Sequence, residues 1–199
     1  ESPVMHKIPY RLLLIEVDGH PAMVAEEAEG VERILTEVGA AEVKVAKDAE
    51  EAASLAAARR TALSALARVS PTTLLEDATV PRSMLAETFT LIERLTKKYA
   101  LTVGTFGHAG DGNLHPTVLC DERDADEMKR AHAFYDELYE QVLAWGGTVS
   151  GEHGIGIAKK EYLARQIGPG GVAVMKRIKL AFDPEGILNP GKIFADGQE

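Results

Sequence analysis

The sequence predicts an α+β domain, an antiparallel sheet with helices packed mainly on one face, and three observations predict it. Short apolar runs alternate with segments of helical periodicity, a glycine-rich connection joins two apolar stretches in the manner of a hairpin, and a 199-residue chain with 45% hydrophobic residues can bury a conventional core. The chain is read as one unit over residues 1–199, opening on Glu1-Ser2-Pro3 without an initiator methionine, so that it is either processed or a piece of something longer.

The elements follow in order. Residues 10–17 (YRLLLIEV) form an apolar run that reads as a buried strand, closed by the turn-forming pair Asp18-Gly19. Pro21 starts a helix whose apolar positions Val24, Ala28, Val31, Ile34, Leu35 and Val38 recur at helical spacing, and Gly39 stands where a left-handed C-terminal cap is wanted. Alternating Val43 and Val45 indicate the next strand. Asp48, with Glu51 three residues on, resembles a capping box at the head of a long Ala-rich helix that should stop before Ser70-Pro71. Pro81 suits the first residue of a third helix, which runs to about Tyr99 with Leu85, Phe89, Ile92 and Leu95 on one face.

Residues 101–106 and 114–119 read as two strands flanking the tight connection 107–113 (GHAGDGN). A fourth helix extends from about Asp124 to Trp145 and ends at Gly146-Gly147. A glycine-rich loop at 150–156, two short helices and a turn-dense tail, Asp183-Pro184-Glu185-Gly186 and Asn189-Pro190-Gly191, complete the chain.

Charge narrows the function. Lys and Arg number 22 against 31 Asp and Glu, a formal net charge of -9, and a field of that sign disfavours nucleic-acid backbones and anionic membranes. It also does little for an acidic substrate, which would need a local cation to reverse the sign. The single cysteine, Cys120, allows no internal disulfide and fits a reducing compartment. No apolar run approaches the roughly 18 to 20 residues of a membrane span. No signal peptide is visible in these residues, and the expected location is cytoplasmic.

Chemistry concentrates in two places. Around a hairpin turn, His108 and His115 can come side by side and converge two imidazoles on one point. Gly151-Glu152-His153-Gly154 sets a carboxylate beside an imidazole in a loop whose glycines let the backbone approach a ligand. Two neutral histidines and one carboxylate are a common ligand set for a divalent ion with open positions. A lone histidine is more often a surface or satisfied core residue, and His6, His20 and His132 read that way. The glycine-bounded pair is harder to attribute to packing, because glycine costs up to ~1 kcal/mol relative to alanine in regular structure. Cys120 reads as a small apolar residue.

Residues 107–115 (GHAGDGNLH), 150–156 (SGEHGIG) and 182–192 (FDPEGILNPGK) together resemble three motifs in the C-terminal domain of the FAD-linked oxidase family. That family includes the glycolate oxidase flavoprotein subunit, D-lactate dehydrogenases and D-2-hydroxyglutarate dehydrogenase. Upstream, residues 56–59 (AAAR) through 80–82 (VPR) are similar to the family's arginine-bearing helix and the segment after it, so the resemblance covers residues 12–194.

The resemblance implies a ferredoxin-like α+β domain that roofs the flavin, with the FAD held mainly by an N-terminal FAD-binding domain of the same polypeptide that this chain lacks. It further implies that His108, His115 and Glu152 hold a zinc, iron or manganese ion, that His153 is the base, that Arg59 pairs with the substrate carboxylate, and that Asn189 reaches the flavin. Arg59 beside Arg60 also reads as a surface arginine, and Asn189 as a turn cap.

The implied chemistry is coherent: an ion chelated by a 2-hydroxyacid lowers the hydroxyl pKa, and a histidine, with an ordinary pKa near 6.5, suits removal of that proton. An arginine fork matches a carboxylate as a lysine cannot. The chain departs from the family where Ala56 replaces a common tryptophan, Leu75 the lysine that serves a distal carboxylate in the 2-hydroxyglutarate enzymes, and Thr117 an asparagine. These departures point to glycolate, lactate or another small monocarboxylate. The electron acceptor stays open, and a homo-oligomer is compatible with the sequence. Two other classes use the same residues: a self-contained metal hydrolase, and a non-catalytic interaction module in which the glycine loops are only turns.

Overall fold

The computed structural model describes residues 11–194, which divide into two compact units between Ala65 and Leu66. The first unit holds α1 (Pro21–Glu37) and α2 (Ala49–Arg60), and α3 (Ala62–Leu66) ends on the boundary. Pro21 opens α1 as predicted, and Gly39, just past its C-cap Val38, is left-handed at φ 80°. Asp48 caps α2 by accepting from the Glu51 N–H at 2.8 Å, while the Glu51 carboxylate accepts from the Lys47 N–H at 2.9 Å, a capping box shifted by one residue.

Two expectations fail here. The long Ala-rich helix is broken at Thr61, whose hydroxyl donates back to the Ala57 carbonyl at 3.0 Å, so that α2 and α3 are separate. The expected strands at 10–17 and around Val43 and Val45 do not form: described residues 11–17 and 43–45 carry no ladder, and Leu12 is 85% exposed. Tyr10 and His6 lie outside the described residues. An apolar or alternating pattern supplies a strand's faces, but a strand also needs a partner edge.

The second unit contains β1 (Thr72–Leu75), β2 (Ala78–Thr79), a 3-10 turn (Arg82–Met84), α4 (Leu85–Lys98), β3 (Thr102–His108), β4 (Asn113–Cys120), α5 (Ala125–Ala144) and α6 (Lys160–Phe182). The sheet is antiparallel throughout, as expected of the α+β class. β3 pairs with β4 along its length, and β1 and β2 pair in succession along the other side of β4, so β4 is central and buried at every position. β1 and β2 were not anticipated; four and two residues are too short for a period to show.

Gly112 closes the β3–β4 turn at φ 82°, and a Cβ there would stand 2.0 Å from the Val80 carbonyl oxygen, so only glycine fits. α5 is capped by Asp124, which accepts from the Asp126 and Glu127 N–H groups at 3.0 Å, and it ends before Gly146. α6 breaks at Gly168 (φ 70°, ψ 166°) ahead of Pro169, which gives the two helices the sequence indicates. No helix among the described residues is long and apolar enough to cross a membrane.

The core lies between one face of the sheet and the helices α4 and α5. Leu114, Val118 and Cys120 of β4 meet Leu91, Ile92 and Leu95 of α4 and Phe134, Leu138 and Val142 of α5. Strand alternation therefore turns His115 and Thr117 to the opposite face. Phe134 is fully buried, and Phe134→Ala is expected to cost about 3–5 kcal/mol of stability, read as a lowered urea midpoint.

Candidate metal centre

The other face of the sheet carries the first two imidazoles. His108 ends β3 and pairs with Asn113, while His115 in β4 pairs with Phe106. The expected side-by-side approach is therefore realised diagonally, two positions apart on one face, with ring centroids 5.6 Å apart and the planes at 90°. His115 is 3% exposed and sits against the Phe106 ring; His108 is half-buried.

A buried carboxylate brings in the rest. Asp77 lies where β1 gives way to β2 and is wholly buried. It accepts from the N–H groups of Gly151 (3.0 Å), Glu152 (2.9 Å) and His153 (2.7 Å) and from the Ser150 hydroxyl (2.8 Å), whose oxygen accepts in turn from the Gly154 N–H (2.7 Å). Three successive N–H groups so folded make an anion-binding concavity. Burial pushes the Asp77 carboxyl up, but these donors outweigh it and hold the pKa at about 2. Gly151 fits because a Cβ there would stand 2.2 Å from the Thr79 hydroxyl oxygen and 2.8 Å from the Asn113 side chain.

The loop so held directs Glu152 at the hairpin. Its Oε1 lies 2.9 Å from His115 Nε2, 3.6 Å from His108 Nε2 and 4.0 Å from His153 Nε2, and the His153 ring stacks on His115 at 4.9 Å and 11°. Burial lowers the pKa of His115, and the neighbouring His153 adds to this against the opposing pull of Asp77 and Glu152. These effects favour the neutral ring, the form that ligates.

These residues fit a divalent ion. One atom from each of His108, His115 and Glu152 lies within 4.8 Å of the others. Ligands about 2.1 Å from a tetrahedral ion stand about 3.4 Å apart, so a shift on the order of an ångström closes the set and leaves positions open. Among the described residues His115 Nδ1 has no hydrogen-bond partner and is buried, which leaves Nε2, facing Glu152, as the ring's polar outlet.

Of the six residues singled out from the sequence, the structure gathers His108, His115, Glu152 and His153. Asn189 is exposed in the tail beyond α6, left-handed at φ 48°, and is not in the cluster. Arg59 is exposed in the last turn of α2, in the first unit.

Asp77 escaped sequence reading, as did the group behind it. The Lys159 amine, 3% exposed as a residue, donates to the Asp77 carbonyl at 2.9 Å and pairs with Glu76 at 3.1 Å, and the Tyr139 hydroxyl donates to Glu76 at 2.7 Å. The available signal was two consecutive acids, Glu76-Asp77, inside an otherwise Thr- and Leu-rich stretch. Leu75 and Thr117 are register partners, and Thr117 shares the face of His115, so two of the positions that depart from the family pattern are neighbours beside the centre.

A family model for FAD linked oxidases, C-terminal domain, matches residues 10–193. The glycolate oxidase subunit GlcD of Bacillus subtilis (strain 168) is 50% identical over 184 residues, which cover 92% of this chain and 39% of that protein. GlcD of Escherichia coli (strain K12) is 39% identical over 181 residues, 91% of this chain and 36% of that protein. A D-lactate dehydrogenase of Anaerostipes hadrus is 38% identical over 185 residues, 91% of this chain and 38% of that protein. The chain thus spans less than two fifths of the length of these relatives.

Proposed function

We propose that this chain, which belongs to the family of FAD linked oxidase C-terminal domains, supplies the substrate and metal side of a flavin-dependent enzyme that oxidises a small D-2-hydroxyacid to the 2-oxoacid. The observation that carries this reading is the convergence of His108, His115 and Glu152 with His153 stacked at their edge. The relatives named for glycolate oxidase and D-lactate dehydrogenase support the reaction class.

In this reading a divalent ion (zinc, iron or manganese), when bound, supplies the Lewis acid that lowers the hydroxyl pKa, and the FAD of the flavin-binding domain supplies the acceptor for the hydride leaving carbon 2. His108, His115 and Glu152 hold the ion. His153 takes the hydroxyl proton at its ring nitrogen, Arg59 grips the substrate carboxylate with a bidentate fork, and Asn189 contributes toward the flavin. Leu75 stands where the 2-hydroxyglutarate enzymes carry a lysine for the distal carboxylate, which favours glycolate or lactate over a dicarboxylate. The expected setting is cytoplasmic.

Metal analysis of the full-length protein beside His108→Ala tests this. Wild type should carry one ion per chain and the variant should lose it. Wild type offered zinc, iron or manganese and retaining none would end the reading.

A further inference from the structure

We infer that Asp77 is a positioning residue for this centre: its buried carboxylate, by gathering the Ser150–His153 loop around itself, fixes where the Glu152 carboxylate and the His153 ring stand. The inference rests on the metal reading above. Among the described residues, every hydrogen bond the carboxylate accepts comes from one loop, three from consecutive N–H groups and one from the Ser150 hydroxyl. Asp77 itself is clamped from behind, because Lys159 donates to its carbonyl and β2 continues from it into the ladder with β4. The strand that anchors Asp77 thus borders the strand that carries His115.

The loop has no such rigidity of its own. It contains Gly151, Gly154 and Gly156, the last two at positive φ, and residues 151–154 are exposed. Glycine loses the most freedom on ordering, so a loop of this composition needs an external anchor to hold one arrangement. Asp77 provides it at the residues that matter, since two of its donors are the backbone groups of Glu152 and His153 themselves. An ion that draws one ligand from the loop and two from the hairpin gains affinity from that prior placement. Partners that orient ligands without touching the metal typically contribute about 10–100-fold to metal affinity.

Cobalt(II) titration of the full-length protein, followed by its visible d–d absorption, tests the idea with Asp77→Asn and Ser150→Ala. Asparagine keeps the size of Asp77 but turns an N–H group at the loop's donors, and it should weaken cobalt binding about 10–100-fold and shift the absorption band. Ser150→Ala removes one donor and the relay to Gly154, and it should weaken binding several-fold. It carries the test should Asp77→Asn fail to fold. Absence of cobalt binding by wild type overturns the metal reading and this inference with it. Wild-type binding accompanied by the same affinity and spectrum in the folded variants overturns this inference alone.

Discussion

His153→Gln in the full-length protein is expected to lower turnover about 10²–10⁴-fold while the metal content stays at the wild-type level. Glutamine keeps the size and polarity of the side chain and the backbone N–H that Asp77 holds at 2.7 Å, but it cannot accept and release a proton as imidazole does. His153 Nε2 is the most distant of the three ring nitrogens from Glu152 Oε1, at 4.0 Å against 3.6 and 2.9 Å, which leaves the ring free for substrate when the nearer groups are engaged. KM should change much less than kcat, because in the proposed reaction the lost interaction belongs to proton transfer. Turnover within a few-fold of wild type would remove His153 from the role of base. Loss of the ion instead would make it a ligand.

His115→Ala should abolish both metal retention and the stability that depends on metal. A site filled at 100 times its dissociation constant adds about 2.7 kcal/mol to the folded state. Wild type should therefore melt at a higher temperature loaded than after chelation, whereas the variant should melt at one temperature in both conditions. Because the ring is buried between Phe106 and His153, its removal also costs the metal-free protein on the order of 2 kcal/mol, the low end for large-to-small core changes. A thermal shift with metal equal to that of wild type would exclude His115 from the site.

The parts legible in the sequence were those with local causes. The α2 cap at Asp48, the Pro21 start, the Asp124–Trp145 helix and the hairpin around Gly112 each follow from residues within a few positions of one another. The convergence of His108 and His115 was legible because one turn joins them. Its diagonal form was not, because register depends on which residue closes the ladder, here His108 against Asn113. Glu152 and His153 stood out by composition, but what fixes them, Asp77, lies far away in sequence and enters through backbone N–H groups that every residue possesses. The segments at 10–17 and 43–45 show the reverse failure, since their patterns suit a strand and the described residues give them no ladder.

The Glu76–Lys159 pair beside Tyr139 constrains descent as well as architecture. Lys159 is buried, so a lineage that loses Glu76 alone strands the lysine charge away from water, while one that exchanges both for apolar residues leaves the Asp77 carbonyl and the Tyr139 hydroxyl without these partners. Each member thus protects the other from drift, and two positions remote in sequence should be inherited together.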